Sequence, residues 1–162
     1  MKKSKRMIIF DETVFVAQIV AISPKGLIAI DGFDGAGKTT LAKQLSSALD
    51  LLLLYLDSFL LKQTAKSYTN DLDFQSLAQD ICAAGKSVIV SGICILDALD
   101  KMDLSPSVHI YVKFIAKNGL WHQGWDIDND RIDGNWFKNE VLQYHRRRRP
   151  HEAADYTVVR EK

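Results

Sequence analysis

The residues of this chain whose types and spacing could do chemistry begin with Asp31-Gly32-Phe33-Asp34-Gly35-Ala36-Gly37-Lys38-Thr39-Thr40. From Gly32 to Thr39 they fit G-x-x-x-x-G-K-[ST], the phosphate-binding P-loop. The glycines let the backbone turn through conformations closed to other residues, so that successive N–H groups can point inward at phosphate oxygens. The expected phosphate-binding set is Gly32, Asp34, Gly35, Ala36, Gly37, Lys38, Thr39 and Thr40. Lys38 would reach the β- and γ-phosphates, and the Thr39 hydroxyl would hold Mg²⁺, so the implied ligand is a nucleoside triphosphate with its magnesium ion. A second group follows at Asp57. A carboxylate there, across from the loop, could accept a proton from a hydroxyl attacking the γ-phosphate, or orient a magnesium-bound water; the alternative is that it caps its own turn.

Such groups work only if the surrounding elements position them. Leu27-Ile28-Ala29-Ile30 reads as a buried strand, and Thr40 to Leu49 reads as a helix with Leu41, Leu45, Ala48 and Leu49 on one face. Strand, glycine loop and helix is the context the motif requires, and the helix N-terminus adds its dipole at the phosphates. Asp11 can cap an opening helix to about Ala21, which Ser23-Pro24-Lys25-Gly26 breaks. Leu51 to Leu56 suits a parallel strand covered on both faces and ends at Asp57. A helix from Asp71 or Asp73 stops at Gly85, strands follow at 87–93 and 108–114, and a final helix from about Asn135 to Arg147 precedes a last strand at 155–160. Strands alternating with helices imply parallel β-α-β units. The predicted fold is α/β, a three-layer sandwich on a mainly parallel sheet of about five strands, forming one domain over 1–162. Residues 1–10 read as a basic tail or edge segment, and 116–133, rich in Gly, Asn, Asp and Trp, as a loop or mobile lid rather than regular structure.

The P-loop, then Leu56-Asp57-Ser58-Phe59, then Gly85-Lys86-Ser87-Val88-Ile89-Val90-Ser91-Gly92, and finally Arg149-Pro150-His151-Glu152-Ala153-Ala154-Asp155-Tyr156 resemble the uridine kinase-like group of P-loop kinases. The resemblance runs from about Leu27 to Arg160. It implies ATP-dependent, magnesium-assisted phosphoryl transfer to a hydroxyl of a small molecule such as a nucleoside, with Asp57 as catalytic base and magnesium neighbour beside Thr39, and Lys38 as the second catalytic residue. The chain departs from the family at Leu60, where a tyrosine is usual, and at Ser91, which replaces a glutamate assisting the metal. It also lacks an arginine-rich lid after Phe114, where only Lys117 and Arg131 are basic. These departures keep open another class of function: a nucleotide-binding module or slow NTPase acting through a protein or nucleic-acid partner.

Composition narrows the classes further. The chain has 162 residues, of which 47% are hydrophobic, enough for one domain with a core. Its 21 Lys and Arg against 20 Asp and Glu leave a net charge of +1, so no global field favours nucleic acid or a membrane. No apolar run approaches the roughly 20 residues of a membrane span, and the expected location is the cytoplasm. Cys82 and Cys94 read as small core residues. Arg146 to Arg149 read as the solvated, dipole-favoured end of a helix, with anion binding as the alternative. Trp121, Trp125 and Trp136 read as core. Asp97 reads as a solvated helix-start residue, or as a further carboxylate near the metal.

Overall fold

The computed structural model describes residues 6–61, 66–129 and 134–161. The elements run β1 (Met7–Ile9), α1 (Glu12–Ile22), β2 (Gly26–Asp31), α2 (Lys38–Leu49), β3 (Leu53–Tyr55), a 3₁₀ turn (Leu56–Phe59), α3 (Phe74–Ala83) and β4 (Ser87–Ser91). There follow α4 (Ile95–Asp100), β5 (Val108–Ile115), α5 (His122–Asp128), α6 (Trp136–Arg148), α7 (Pro150–Ala153) and β6 (Tyr156–Glu161). One sheet of six strands has the order β1-β6-β5-β2-β4-β3. Every pairing is parallel. The strand that feeds the P-loop lies in the middle, between β5 and β4.

Alternation along β2 builds the layers. Leu27 and Ala29 face one core, shared with Leu54, Leu77, Val88, Ile95, Ala98, Val141 and Tyr144, while Ile28 and Ile30 face the other, shared with Phe15, Ile19, Leu41, Leu45, Ile110 and Val158. Successive strand side chains point to opposite faces. α3, α4 and α6 therefore cover one face and α1 and α2 the other. This is the three-layer α/β sandwich the alternation of elements implies.

Local signals set most boundaries. Asp11 caps α1, its Oδ1 accepting from the Val14 amide at 3.0 Å, and Asp73 caps α3 by accepting from Ser76 N. Gly85, at φ +82°, ends the α3 segment. The Leu51–Leu56 run shortens to a strand over Leu53–Tyr55, because Leu56 enters the 3₁₀ turn.

Three differences have physical causes. The sheet has six strands rather than about five because Met7–Ile9, within the stretch read as a basic tail or edge segment, is an edge strand in register with Tyr156–Val158. Three residues are too few to show a period in sequence. The 116–133 region contains helix α5, although Trp121 at its N-cap makes no side-chain cap bond. Tertiary contacts supply what local propensity lacks: Ile127 is buried, and the Arg146 guanidinium donates to the carbonyls of Asp126 (2.9 Å) and Ile127 (3.1 Å). Gly124 admits the Trp121 ring, which a Cβ would meet at 2.5 Å. Finally, Cys94 is buried, whereas Cys82 is exposed. Among the described residues no helix is long and apolar enough to cross a membrane.

Candidate active site

At the carboxyl end of β2 the chain turns into the P-loop, and the glycine positions justify themselves geometrically. Gly32, Gly35 and Gly37 have φ of +146°, +75° and +98°. A Cβ on Gly32 would stand 2.5 Å from the Val112 carbonyl oxygen. The first glycine therefore lets the loop cross the backbone of β5.

Asp31 anchors the root of the loop and is fully buried. Its carboxylate accepts from the Gly32 amide (2.8 Å) and the Tyr144 hydroxyl (2.5 Å), and His109 Nε2 lies 3.4 Å away. A buried charge so surrounded is satisfied rather than orphaned. Burial and the Asp31 charge push the Tyr144 phenol far above its usual range, which keeps it a donor. On the loop itself, Ala36 is buried and its amide donates to the Phe33 carbonyl at 3.2 Å.

Lys38 opens α2 and is 9% exposed. Its ammonium donates to the Phe33 carbonyl at 2.6 Å. Burial lowers its pKa, opposed by the charges of Asp31, Asp34 and Asp57. These three carboxylates favour the charged form of a largely desolvated ammonium beside the place where phosphate charge would enter.

A cavity of about 630 Å³ opens in front of the loop, lined by Asp34, Gly35, Gly37, Lys38, Thr39, Asp57, Ser91 and Gly92, with Tyr55, Leu60, Tyr68, Ile93 and Phe137 completing the wall. The carboxyl ends of β2, β3 and β4 thus converge on one space, as ligand sites do in open parallel sheets. Thr40 is exposed on α2, outside that lining. Asp57 is exposed on the 3₁₀ turn that follows β3, and its Oδ1 accepts from the Tyr68 hydroxyl at 2.5 Å. No side-chain capping bond accompanies that turn. Its seat depends on Gly92: a Cβ there would meet Leu56 at 2.7 Å, so the missing side chain lets the end of β4 pack against the turn.

Thr39 and Asp57 bring a hydroxyl and a carboxylate to this cavity, hard oxygen donors that fit Mg²⁺, an ion that keeps several of its waters. Ser91 is buried at the end of β4 and adds a hydroxyl without charge. Among the described residues no cluster of three or more His, Cys, Asp or Glu forms a metal cage.

Several residues singled out in the sequence serve elsewhere. Asp97 accepts from Arg147 (3.0 and 2.6 Å) and from Arg148 (2.8 Å), and lies in a separate cleft of about 440 Å³. It is neither simply solvated nor a metal neighbour. The arginine run is likewise not a free helix end: Arg148 also bonds Asp100, Arg149 bonds Asp128 (3.2 Å) and Glu152 (2.5 Å), and Arg146 holds α5. Each of the four guanidiniums is thus bonded to an acceptor on α4, α5 or α7. Trp125 and Trp136 are exposed and Trp121 is half-buried, so the tryptophans do not form core. The Trp121 ring instead carries the Lys113 ammonium 4.3 Å from its centroid. Lys117 is exposed, and Arg131 lies outside the described residues.

Two participants have no motif to betray them. Tyr68 comes from the polar connection after Asp57, and Glu140, on α6, accepts from the Tyr68 and Thr69 amides and the Ser67 hydroxyl.

No protein-family model and no curated protein matches the chain. Solved structures do. The chain is similar to a "Possible Uridine Kinase" from Bacillus stearothermophilus at 16% identity, covering 91% of this chain and 96% of that one with a TM-score of 0.57. It is also similar to a "putative fructose transport system kinase" from Silicibacter sp. TM1040 at 18% identity, covering 91% and 98% with a TM-score of 0.52. At such identities the likeness is one of fold, the parallel α/β sandwich described above.

Proposed function

We propose that this protein is an ATP-dependent kinase that transfers the γ-phosphoryl group to a hydroxyl of a small molecule, a nucleoside being the acceptor class the resemblance suggests. The observation that carries the reading is the convergence of Lys38, Thr39 and Asp57 on one cavity at the carboxyl ends of the strands. P-loop amides and Lys38 hold and neutralise the phosphates, and charge spread over the transferring group in the transition state is stabilised by the same donors. Thr39 and Asp57 would hold Mg²⁺, which would supply neutralisation of phosphate charge. The acceptor oxygen forms a bond to the γ-phosphorus as the bond to the β-phosphate oxygen breaks. Asp57 takes the hydroxyl proton, and ADP leaves.

The test is a panel assay with ATP, magnesium, nucleosides and small alcohols. Asp57→Asn is expected to bind ATP as the wild type does while losing transfer by about 10²- to 10⁴-fold, the range of a general base. Equal turnover in wild type and variant, on every acceptor that works, refutes Asp57 as base. A second reading, a nucleotide-responsive module acting through a partner, is favoured by Ser91 at the end of β4 and by Asp97 being engaged with arginines. It predicts ATP binding without transfer to any acceptor.

A further inference from the structure

We infer that Tyr68 is a positioning residue for the transfer step, clamped by Glu140 so that its hydroxyl fixes the Asp57 carboxylate. The inference rests on the kinase reading above and adds to it a residue pair outside every motif.

Asp57 stands exposed on a four-residue 3₁₀ turn, and among the described residues the Tyr68 hydroxyl is the only donor bonded to its side chain. An exposed carboxylate on a short turn has free torsions, and a base that samples several orientations spends little time aligned with a reacting hydroxyl. Tyr68 removes that freedom. It is 2% exposed, its ring packs edge-on against Phe137 at 5.9 Å, and its hydroxyl reaches Oδ1 at 2.5 Å. With Oδ1 engaged, Oδ2 carries no hydrogen bond among the described residues.

The precision of this contact is imported from α6. One Glu140 carboxylate accepts from Tyr68 N (2.7 Å), Thr69 N (3.1 Å) and Ser67 Oγ (2.9 Å), pinning the backbone on both sides of the Tyr68 Cα. Asp71 closes the same loop by accepting from the amides of Lys66 and Ser67. Leu60 lines the cavity beside these groups.

Steady-state transfer to the best acceptor of the panel tests this with Tyr68→Phe, Glu140→Gln and the double variant. Tyr68→Phe keeps the ring on Phe137 and loses only the hydroxyl. Its kcat is expected to fall about tenfold, the effect of one charge-assisted hydrogen bond, with ATP affinity and melting temperature as in the wild type. Glu140→Gln should lower kcat comparably, and the double variant should fall no further than Tyr68→Phe alone, because Glu140 acts through Tyr68. Wild-type kcat in Tyr68→Phe overturns the inference and leaves the kinase reading intact. So do losses from the two substitutions that multiply. If Glu140→Gln does not fold, the kcat of Tyr68→Phe decides alone. A wild type that transfers to no acceptor overturns the kinase reading and this inference with it.

Discussion

Alanine at each of the three P-loop glycines should cost stability in a fixed order that the backbone geometry dictates. At Gly35, φ is +75° and a Cβ would meet nothing within 4 Å, so Gly35→Ala incurs only the left-handed backbone penalty, about 1–2 kcal/mol. At Gly37, φ is +98° and the new Cβ would stand 2.2 Å from Arg160 Nη1. That guanidinium can move, but it pairs with Glu12 at 2.6 and 2.8 Å, so displacing it adds about 1 kcal/mol. Gly37→Ala should therefore cost about 2–3 kcal/mol. At Gly32 the obstacle is the Val112 carbonyl oxygen, 2.5 Å from the Cβ, in a strand whose Val112 is fully buried. No side-chain rotation relieves a backbone clash in the middle of a sheet. With φ at +146°, strain of about 1–3 kcal/mol adds to displacement of β2 from β5, for a total of roughly 4 kcal/mol or more. Urea unfolding measures each value. Thermal melting should follow at roughly 2–4 °C per kcal/mol for a domain of this size. If Gly32→Ala proves no worse than Gly35→Ala, the close crossing of loop and strand is not what demands glycine at 32, and the reasoning fails.

Two further predictions concern buried groups. Tyr144→Phe deletes the 2.5 Å donor to Asp31, leaving a buried carboxylate short of one bond; a loss of about 2–3 kcal/mol in urea unfolding is expected, and a change under about 0.5 kcal/mol would show that Asp31 does not need the phenol. Acid should destabilise the fold through His151, whose pKa drops to about 4 because of burial and then the neighbouring His145 and Arg149 charges. Between its ordinary 6.5 and about 4 the unfolded chain binds a proton that the folded chain does not, so this contribution is lost as pH falls through that window and changes no further below it. Melting curves at pH 7.5 and 5 should show a smaller acid loss in His151→Gln than in the wild type; equal losses would refute the assignment.

How far the sequence reaches into this site depends on whether a residue's role is local. Gly32 to Thr39 and Asp57 stand where their own strands deliver them, so spacing and strand ends expose them. Asp11 and Asp73 cap the helices that follow them for the same reason. Tyr68 and Glu140, separated by 72 positions at their 2.7 Å amide bond, carry no spacing signal, because the fold alone brings them together. The arginine run shows the opposite failure. Its composition suggests a solvated patch, yet the acids that neutralise it, Asp97, Asp100 and Asp128, belong to α4 and to the last residue of α5. Helix α5 was hidden because its stabilising donor, Arg146, lies on α6.

Those long-range bonds also impose a timetable on synthesis. Residues 136–148 supply the Tyr144 donor to Asp31, the Glu140 clamp on the Tyr68 loop and the Arg146 grip on α5. A ribosome releases Gly32 to Thr39 more than a hundred residues before Tyr144 emerges, and β5, which pairs with β2, appears only shortly before α6. Until β5 and α6 emerge the loop has its glycines and β4 beside its strand, but lacks β5 on the other side and the donor that satisfies its buried acid. The nascent chain therefore completes the surroundings of Gly32 to Thr39 only in its last third, and any ligand of the loop would reward only a nearly finished fold.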